Sequence, residues 1–302
     1  MKKKFEHMAL IGCGLMGGSF ALAAKKAGLV KRVVGYSKSP STTNRARQMG
    51  AIDEEASSAL IAVSGADLVV LAVPVASTAP TLLTIKHLIQ PETLVMDVGS
   101  TKLDVVNAAR TALKDRFGCF VPAHPITGKE VSGVEHAEAT LYQGAQVVLT
   151  PTEHTKVTQL RDAEDIWKAI GAHVTSMSPE AHDAALAASS HTPHMVAMAY
   201  MNALLNQEDG HRMLSLAGPG FRDFTRIAAA EPSMWRDIFD ANRTEILKQV
   251  HYLQHVLGRY EAALMTGDKA ALERLIRSAS DTRAQWKPGK LYTAQSLHKN
   301  KP

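Results

Sequence analysis

Short apolar segments alternate with amphipathic segments along the first part of the chain. From Met8 to Met177 the spacing of apolar positions switches between that of a strand and that of a helix, which is typical of βαβ units around a parallel sheet. The predicted strands are 7–11, 32–36, 67–73, 94–98, 119–121, 146–149 and 173–176, and the clearest helices are 20–27, 103–114 and 157–170. The apolar run 68–73 favours a sheet that is covered on both faces.

The pattern changes at Ser178 and Pro179, where a helix is predicted to begin. Beyond this point the chain is rich in Ala, Leu and Met and has no strand pattern. Within 180–206 only Pro193 interrupts the helical period. This half of the chain is therefore predicted to be all-helical.

Three parts of the chain follow from these patterns. They are an α/β domain over 1–177, an all-α domain over 178–286 and a polar, lysine-rich, flexible tail over 287–302. The helical domain has more apolar faces than one copy can bury, so we expect it to carry the dimerisation surface of a homodimer and part of the substrate site.

A glycine-rich segment follows the first predicted strand and opens the first helix. Its glycines fit the pattern Gly-x-Gly-x-x-Gly, which allows a tight turn, a close approach of backbone to a pyrophosphate, and close packing of helix on strand. The helix start offers free N–H groups to the phosphates. A glycine turn can also serve packing alone, but the βαβ context predicts a Rossmann-type dinucleotide-binding domain. The predicted cofactor contacts are Gly12, Gly14, Leu15, Met16, Gly17 and, at the end of a neighbouring strand, Val73.

The end of the second predicted strand indicates which nicotinamide cofactor is preferred. A carboxylate there would bind the ribose 2′-hydroxyl of NAD, whereas basic neighbours accommodate the 2′-phosphate of NADP. Ser37, Lys38 and Ser39 occupy this position, and Arg45 and Arg47 follow on the next helix. With no carboxylate available, we predict that these residues bind NADP in preference to NAD, with NAD still possible. The alternative is that Lys38 is an ordinary solvated lysine.

Polar segments follow two further strands, at 97–102 and 124–133. Ligands of open α/β sheets bind at the carboxyl ends of strands. A histidine placed there, such as His124, can take a proton from an alcohol while hydride leaves for a nicotinamide, because its pKa lies near neutral pH. The alternative is that a lone histidine before a proline is structural.

Two segments of the helical half also carry polar groups, 188–194 and 218–226. The second places Arg222 and Arg226 four residues apart on one helix face after a Gly-Pro-Gly start, an arrangement suited to holding an anion. The alternative is that Arg222 pairs with Asp223 or Asp237 and contributes only to stability. Three other histidines, His136, His182 and His211, match no cluster spacing and are interpreted as surface or core residues, and no metal-ligand spacing is found.

The amino-acid composition limits the kinds of partner that the chain is expected to bind. The chain has 302 residues, a formal net charge of +5 and only two cysteines, which favours a cytoplasmic protein of two domains. No segment approaches the roughly 18 apolar residues of a membrane span. Lysines at the two ends account for the excess positive charge, and the rest of the sequence holds more acidic than basic groups. Nucleic acid and membrane are therefore not expected as partners.

Taken in order, the motifs resemble those of the prephenate/arogenate dehydrogenases, the enzymes of tyrosine biosynthesis. The resemblance runs from about residue 8 to residue 280, and the phrase Gly-Phe-Arg-Asp-Phe-Thr-Arg-Ile-Ala is far more specific than the glycine loop. The matching segments are 12–18, 98–102, 124–133, 190–194 and 221–239. The family implies an oxidative decarboxylation in which hydride passes from ring C4 of the substrate to the nicotinamide, the ring carboxylate leaves as CO₂ and aromatisation drives the step.

The resemblance also implies roles for individual residues. His124 matches the family histidine that hydrogen-bonds the C4 hydroxyl and acts as general base, and Ser100 matches the serine that contacts both that histidine and the cofactor or substrate. The residues that match the family's substrate pocket are Arg226, which would bind a carboxylate, His194 and Arg222 beside it, and Trp235 and Glu130 near the mouth. No metal is required.

Alternatives remain at this point. Prephenate is the expected substrate because the pocket motifs are rich in arginine, but arogenate is the alternative and fits the NADP-type strand end. A 3-hydroxyacid or imine reductase would carry a catalytic lysine after the domain boundary, and 180–206 contains none. A non-catalytic NADP sensor would not need His124, Ser100 and Arg226 together.

Overall fold

The computed structural model describes residues 4–287. The described strands are β1 (Phe5–Ile11), β2 (Val30–Tyr36), β3 (Glu54–Glu55), β4 (Leu68–Leu71), β5 (Leu94–Asp97), β6 (Phe120–Val121), β7 (Ala123–Ile126), β8 (Gln146–Leu149) and β9 (His173–Ser176). The helices that alternate with them are α1 (Leu15–Lys26), α2 (Pro40–Gln48), α3 (Ala59–Val63), α4 (Val75–Ile85), α5 (Leu103–Leu113) and α6 (Val157–Ala169). The later helices are α7 (Pro179–Leu186), α8 (Thr192–Leu205), α9 (Gly210–Leu214), α10 (Pro219–Thr225), α11 (Pro232–Ala241), α12 (Arg243–Thr266) and α13 (Lys269–Gln285).

The main sheet has the strand order β3-β2-β1-β4-β5-β6, and every pairing in it is parallel. This is the order of a dinucleotide-binding fold, and its direction reverses between β1 and β4, where a crevice forms outside the carboxyl ends of the strands. The predicted Rossmann-type α/β domain and the helical segment after it are confirmed.

Both faces of this sheet are covered, as the apolar run 68–73 predicts. Alternate residues of β4 belong to two separate buried clusters, Leu68 and Val70 to one and Val69 and Leu71 to the other. The first cluster continues into the aromatic group of Phe20 on α1, Tyr142 and Trp167 on α6, whose rings meet edge to face. The sheet therefore has helices packed on each side, which fixes the ends of its strands.

A second, three-stranded sheet was not expected. It has the order β7-β8-β9, with β7 antiparallel to β8 and β8 parallel to β9. Residues 146–149 and 173–176 are strands as predicted, but they belong to this sheet rather than to the parallel one. His124 lies on its edge strand β7, not in a loop after β6.

The described chain divides into two compact units, one that runs through Ile246 and one that begins at Leu247. The first unit contains both sheets and the helices α1 to α11, so the predicted boundary at residue 177 does not coincide with this division and stays a prediction. In the second unit, α12 and α13 carry exposed apolar side chains, among them Leu257, Leu264 and Ile276. Of the predicted tail, all but Lys287 lies outside the described residues. Across residues 4–287, no helix is long and apolar enough to cross a membrane.

Candidate active site

The glycine loop joins β1 to α1 and packs against the end of β4. Gly12 has a φ of 96°, and a Cβ built there would lie 2.2 Å from the carbonyl oxygen of Ala72 and 3.1 Å from the amide nitrogen of Val73. At Gly17 a Cβ would lie 2.0 Å from the carbonyl oxygen of Gly12. Glycine is therefore required at both positions, because no side chain fits between the loop and β4.

The start of α1 is open to an anion. Gly14 is its N-cap, no side chain caps the helix, and its first turn holds no acidic residue. A Cβ at Gly14 would meet nothing within 4 Å. The free N–H groups and the positive end of the helix dipole therefore point into open space that a pyrophosphate can fill. The hydroxyl of Tyr142 donates to the carbonyl of Met16 at 2.7 Å and anchors this turn, with Leu15 half-buried beside it.

The end of β2 lies beside the same loop. The amide of Cys13 donates to the hydroxyl of Ser37 at 2.8 Å, so Ser37 ties the strand end to the glycine loop. Lys38 and Ser39 are exposed. Lys38 forms no ion pair with any of the residues the structure describes, and the Ser39 hydroxyl lies 2.8 Å from that of Ser41.

One carboxylate near this strand end was missed by the sequence reasoning. Strand β3 pairs with β2 and places Glu55 opposite Gly35. The pKa of the Cys13 thiol is raised mainly by burial and to a smaller extent by the Glu55 charge. Glu55 is 3.6 Å from a guanidinium nitrogen of Arg47, which offsets its charge. Residues 37–47 of the sequence contain no carboxylate, as expected. The fold nevertheless brings Glu55 close to the end of β2, so the expectation that no carboxylate lies near the site is wrong.

Asp97, at the end of β5, holds the loop that follows this strand in place. Its Oδ2 accepts the amide of Gly99 at 2.8 Å and pairs with the completely buried ammonium of Lys102, while Oδ1 accepts the amide of Ala123 at 3.1 Å. Through Ala123 it holds β7 next to β5. Ser100 lies half-buried in this loop. Within residues 4–287 no hydrogen bond joins Ser100 to His124, so the contact implied by the family resemblance stays a prediction.

His124 is held by a histidine that the sequence reasoning had set aside. Its Nδ1 lies 2.8 Å from Nε2 of His182, and Nδ1 of His182 lies 2.7 Å from Oδ1 of Asp183. His182 is 0% exposed, so the interpretation as a surface or core histidine is correct about burial but misses its contact with the candidate base. His136 and His211 are exposed.

Asp183 is fixed from several sides. Its carboxylate accepts the amides of Lys102 and Leu103, both at 2.9 Å, at the start of α5. The side chain of Asn242 donates to the Asp183 carbonyl at 2.8 Å and lies 3.0 Å from Nδ1 of His191. These contacts bring α5, α7 and the end of α11 to one point.

A second group surrounds Trp235 on α11. The His194 ring stacks on the Trp235 ring with centroids 3.7 Å apart, and the His191 ring meets Trp235 edge to face at 6.2 Å. Nδ1 of His194 donates to the Ser190 carbonyl at 2.9 Å, which leaves its Nε2 available. The predicted pocket residues His194 and Trp235 are therefore in direct contact.

The two arginines predicted to bind an anion, Arg226 and Arg222, have different surroundings. Arg226 forms an ion pair with Glu130. The pKa of His194 is lowered by burial first and then by the nearby Arg226 charge, which puts Arg226 and His194 in the same neighbourhood. Arg222 is 77% exposed and lies 3.6 Å from Asp223. The structure shows no contact between Arg222 and the other predicted pocket residues within the described chain.

Burial disfavours the charged forms of His124 and His191. Desolvation, followed by the neighbouring charges of His182, Lys102 and His191, holds the pKa of His124 well below its usual value. Desolvation also lowers the pKa of His191 to about 4. Burial alone would raise the pKa of Asp183, but the hydrogen bonds from His182 and the α5 amides outweigh it and lower that pKa. At neutral pH these pKa shifts leave Asp183 ionised and His124 and His191 uncharged, and His124 can act as a base.

The described residues contain no group of three or more His, Cys, Asp or Glu side chains that could hold a metal ion. The residues that the sequence reasoning missed are His182, Asp183, His191 and Asn242. His191 lies inside the segment 188–194 that drew attention for its polar residues. Nothing in the local pattern distinguishes the other three.

Both parts of the sequence match models of known protein domains. Residues 20–176 match the family model of the prephenate dehydrogenase nucleotide-binding domain, and residues 178–278 match that of the prephenate dehydrogenase dimerization domain. The chain is 35% identical to the prephenate dehydrogenase of Bacillus subtilis (strain 168) over 285 residues, which cover 94% of this chain and 76% of that protein.

Solved structures are similar over nearly the whole chain. One is a prephenate dehydrogenase from Aquifex aeolicus in complex with hydroxyphenyl propionate and NAD+, with a TM-score of 0.89, 32% identity, and coverage of 94% of this chain and 99% of that one. Another is an arogenate dehydrogenase from Synechocystis, with a TM-score of 0.80, 27% identity, and coverage of 93% and 100%. Because both parts of the sequence match models of one family, the chain belongs to the prephenate dehydrogenase family of nicotinamide-dependent dehydrogenases.

Proposed function

We propose that this chain is a prephenate dehydrogenase that converts prephenate to 4-hydroxyphenylpyruvate and CO₂. The observation that carries the proposal is the buried, uncharged His124, whose Nδ1 is hydrogen-bonded to His182 and whose Nε2 has no partner among the described residues. Such an imidazole is a ready acceptor for the proton of a hydroxyl group. The family membership supplies the class of substrate.

The glycine loop and the open start of α1 fit the pyrophosphate of a dinucleotide, with Gly12, Gly14, Leu15, Met16 and Gly17 around it. Val73 lies against the same loop. When bound, the nicotinamide accepts the hydride that leaves ring C4 of prephenate. The bond between the ring and its carboxylate breaks, its electron pair enters the ring, and CO₂ and a phenol result.

The residues of the chain act on the substrate's hydroxyl and carboxylates. Nε2 of His124 accepts the hydrogen bond of the C4 hydroxyl and stabilises the positive charge that develops at that carbon. The product keeps a phenol proton, so the proton that moves toward His124 is returned and none is released overall. We assign Arg226 to a substrate carboxylate, with His194 beside it, and Ser100 to the hydroxyl or the cofactor.

We further propose that NADP is preferred and NAD is used less well. Lys38 is exposed at the end of β2 without an ion pair among the described residues, while the one nearby carboxylate, Glu55, is offset by Arg47. A 2′-phosphate would find a free cation in Lys38 and the hydroxyl groups of Ser37 and Ser39.

The enzyme is proposed to work as a homodimer in the cytoplasm. Support for the dimer comes from the match to a dimerization domain and from exposed apolar side chains on the helices, such as Tyr200 and Leu205 in the first unit and Leu264 and Met265 in the second. Support for a reducing compartment comes from both cysteines being free. Sedimentation at several protein concentrations tests the dimer, and a monomer throughout would contradict it.

Arogenate is the second candidate substrate. It carries an ammonium group where prephenate has a ketone, and the exposed carboxylate of Glu130, already beside Arg226, could receive that cation. Initial rates with prephenate and arogenate, each with NAD and NADP, decide both choices. We expect the highest kcat/KM for prephenate with NADP.

His124→Asn is the matched control for this experiment. It should lower kcat by about 100-fold or more while KM changes little, because the base contributes in the transition state. Wild-type protein that oxidised neither substrate, or a His124→Asn variant with wild-type turnover, would overturn the proposed function.

A further inference from the structure

His182 occupies the middle of the His124–His182–Asp183 arrangement. His182 lies on α7, completely buried, with one ring nitrogen 2.8 Å from His124 and the other 2.7 Å from Asp183. The two imidazole rings meet edge to face, with centroids 5.0 Å apart and planes inclined by 65°. Each ring nitrogen of His182 therefore has one defined partner.

The hydrogen-bond donors follow from the charge of Asp183. An ionised carboxylate only accepts hydrogen bonds, so Nδ1 of His182 must carry the proton in that contact. In a neutral His182 the other nitrogen, Nε2, then carries no proton and has a lone pair. Nδ1 of His124 must therefore donate a hydrogen bond to Nε2 of His182. A neutral His124 with a proton on Nδ1 has its lone pair on Nε2, the nitrogen that would face the substrate.

Several contacts keep Asp183 ionised and in place as the acceptor for His182. Its carboxylate is held by the amides of Lys102 and Leu103, and these bonds together with that of His182 favour the ionised form. The carboxylate also sits at the start of α5, where the helix dipole favours negative charge. The acceptor that begins the chain of hydrogen bonds is therefore fixed by the backbone and does not depend on a mobile side chain.

We propose that His182 is a positioning residue for the reaction, which holds His124 in the tautomer with its proton on Nδ1 and transmits the charge of Asp183 to it. This inference deepens the proposed function and rests on it. His182 does not touch the substrate; it leaves Nε2 of His124 as the acceptor and stabilises His124 when a proton moves toward that nitrogen.

The other charged groups near His124 make this support necessary. Burial disfavours a proton on His124, and so do the positive charges of a protonated His182, of Lys102 and of His191, so His182 can support the reaction only in its neutral form. The Lys102 charge is itself paired with Asp97. Among these neighbours, the negative charge that reaches His124 through a hydrogen bond is that of Asp183, by way of His182.

The tautomer can be read directly by nitrogen NMR of the full-length protein labelled with ¹⁵N-histidine, because protonated and unprotonated ring nitrogens have distinct shifts. The His124 signals are those lost in His124→Asn. We expect a protonated Nδ1 in the wild type and a mixture of tautomers in His182→Leu, which offers no acceptor. In His182→Gln the amide oxygen can accept from Nδ1, so the wild-type tautomer should return.

Kinetics give the second readout. His182→Leu should lower kcat by about 100-fold with little change in KM, and the acidic limb of its pH profile should move to lower pH because the protonated His124 loses its partner. His182→Gln should recover at least a tenth of the wild-type kcat. Leu186→Ala, a cavity-forming change on the same helix, controls for lost packing and should leave both the tautomer and the acidic limb unchanged.

The outcomes separate the two proposals. If Nδ1 of His124 is unprotonated in the wild type, or if His182→Leu and His182→Gln both match the wild type in kcat and pH profile, the role of His182 is refuted. If the predicted tautomer is present and is lost only in His182→Leu, but no prephenate or arogenate is oxidised, the proposed function fails while the hydrogen-bond assignment stands. Should His182→Leu not fold, the wild-type and His182→Gln spectra and rates still decide.

Discussion

Lys102 is completely buried and its ammonium is paired with the carboxylate of Asp97 at the end of β5. The same carboxylate accepts the amides of Gly99 and Ala123, so this ion pair connects the loop that carries Ser100 to the strand that carries His124. A buried charge is tolerated only with a partner, because removing it from water is costly. The pair therefore positions two predicted catalytic residues.

Asp97→Asn should destabilise the protein strongly. It leaves Lys102 buried without a counter-charge, and we expect a loss of about 3–5 kcal/mol in the free energy of unfolding. Urea unfolding at fixed protein concentration measures this. The matched control is Glu6→Gln in the exposed pair of Glu6 and Lys31, which are 2.6 Å apart, where a loss of at most about 1 kcal/mol is expected. Equal losses in the two variants would contradict a structural role for the buried pair.

Two glycines of the cofactor loop should respond differently to alanine. At Gly12 the positive φ and the carbonyl of Ala72 oppose a Cβ, so Gly12→Ala should destabilise the protein by about 2 kcal/mol or more. At Gly14 a Cβ is free of contacts, so Gly14→Ala should keep its stability yet weaken dinucleotide binding, since the methyl group occupies the open space. Thermal unfolding measures the effect on stability, and cofactor titration by calorimetry measures the effect on dinucleotide binding. If Gly14→Ala bound the dinucleotide as tightly as the wild type, the pyrophosphate would not occupy the space beside Gly14.

Cofactor preference should be reversed at the end of β2. Ser37→Asp can still accept the Cys13 amide and would add a carboxylate for the ribose hydroxyls, so kcat/KM for NAD relative to NADP should rise by about tenfold or more. Lys38→Gln should weaken NADP alone, and Lys31→Gln, at an exposed lysine on the same strand, should change neither cofactor. A wild-type protein that already has a higher kcat/KM with NAD than with NADP would contradict the NADP assignment.

Arg226 and Arg222 should differ in their effect on substrate binding. Arg226→Ala should raise KM for prephenate by about 10- to 100-fold, the size of a hydrogen bond to a charged group, with a smaller effect on kcat. Arg222→Ala should raise KM less, because Arg222 is exposed and lies beside Asp223. Glu130→Gln, which removes the partner of Arg226 but keeps the arginine, should leave KM unchanged or lower it. A rise with Glu130→Gln equal to that of Arg226→Ala would show that the ion pair, not the free arginine, is what binding requires.

Stability should fall as pH drops from about 6.5 toward 4. Burial lowers the pKa of His191 to about 4 in the folded protein, whereas an unfolded histidine titrates near 6.5. In this range the unfolded chain binds more protons, so acid favours unfolding, by at most about 3 kcal/mol from this residue. His191→Asn keeps an acceptor for Asn242 but cannot be protonated, and should flatten the dependence. The exposed His154→Gln is the control, and an equal flattening there would assign the effect to another group.

The parallel sheet and the glycine loop could be predicted because their information is local. Runs such as 68–71 are apolar on both faces, and the spacing of Gly12, Gly14 and Gly17 is a property of consecutive residues. Strand β7 was missed because Pro125 and a histidine within Ala123–Ile126 do not form a strand pattern; proline is tolerated there because β7 is an edge strand. Strand β3, with only Glu54 and Glu55, leaves no apolar signal.

The support around His124 could not be predicted for a different reason. His182 is 58 positions from His124 in sequence, and Asn242 is 59 positions from Asp183. Their meeting depends on how α7 and α11 pack, which no single segment encodes. The resemblance supplied the residues that would touch the substrate but did not supply those that orient them.

The wide turn Ala187–His191 between α7 and α8 is π-helical. Pro193 has no N–H to return to the helix, which favours such a turn. In a continuous α-helix His182 and His194 would face directions about 120° apart, whereas one residue absorbed by the wide turn reduces this to about 20°. The helical phase across residues 182–194 thus depends on a single inserted position. Deletion of the exposed Ala188 would remove the extra position, and a regular α-helix would then keep about 20° between the directions of His182 and His194. An inserted residue would instead turn His194 away from the side that His182 faces, so this stretch should tolerate the loss of one residue far better than the gain of one.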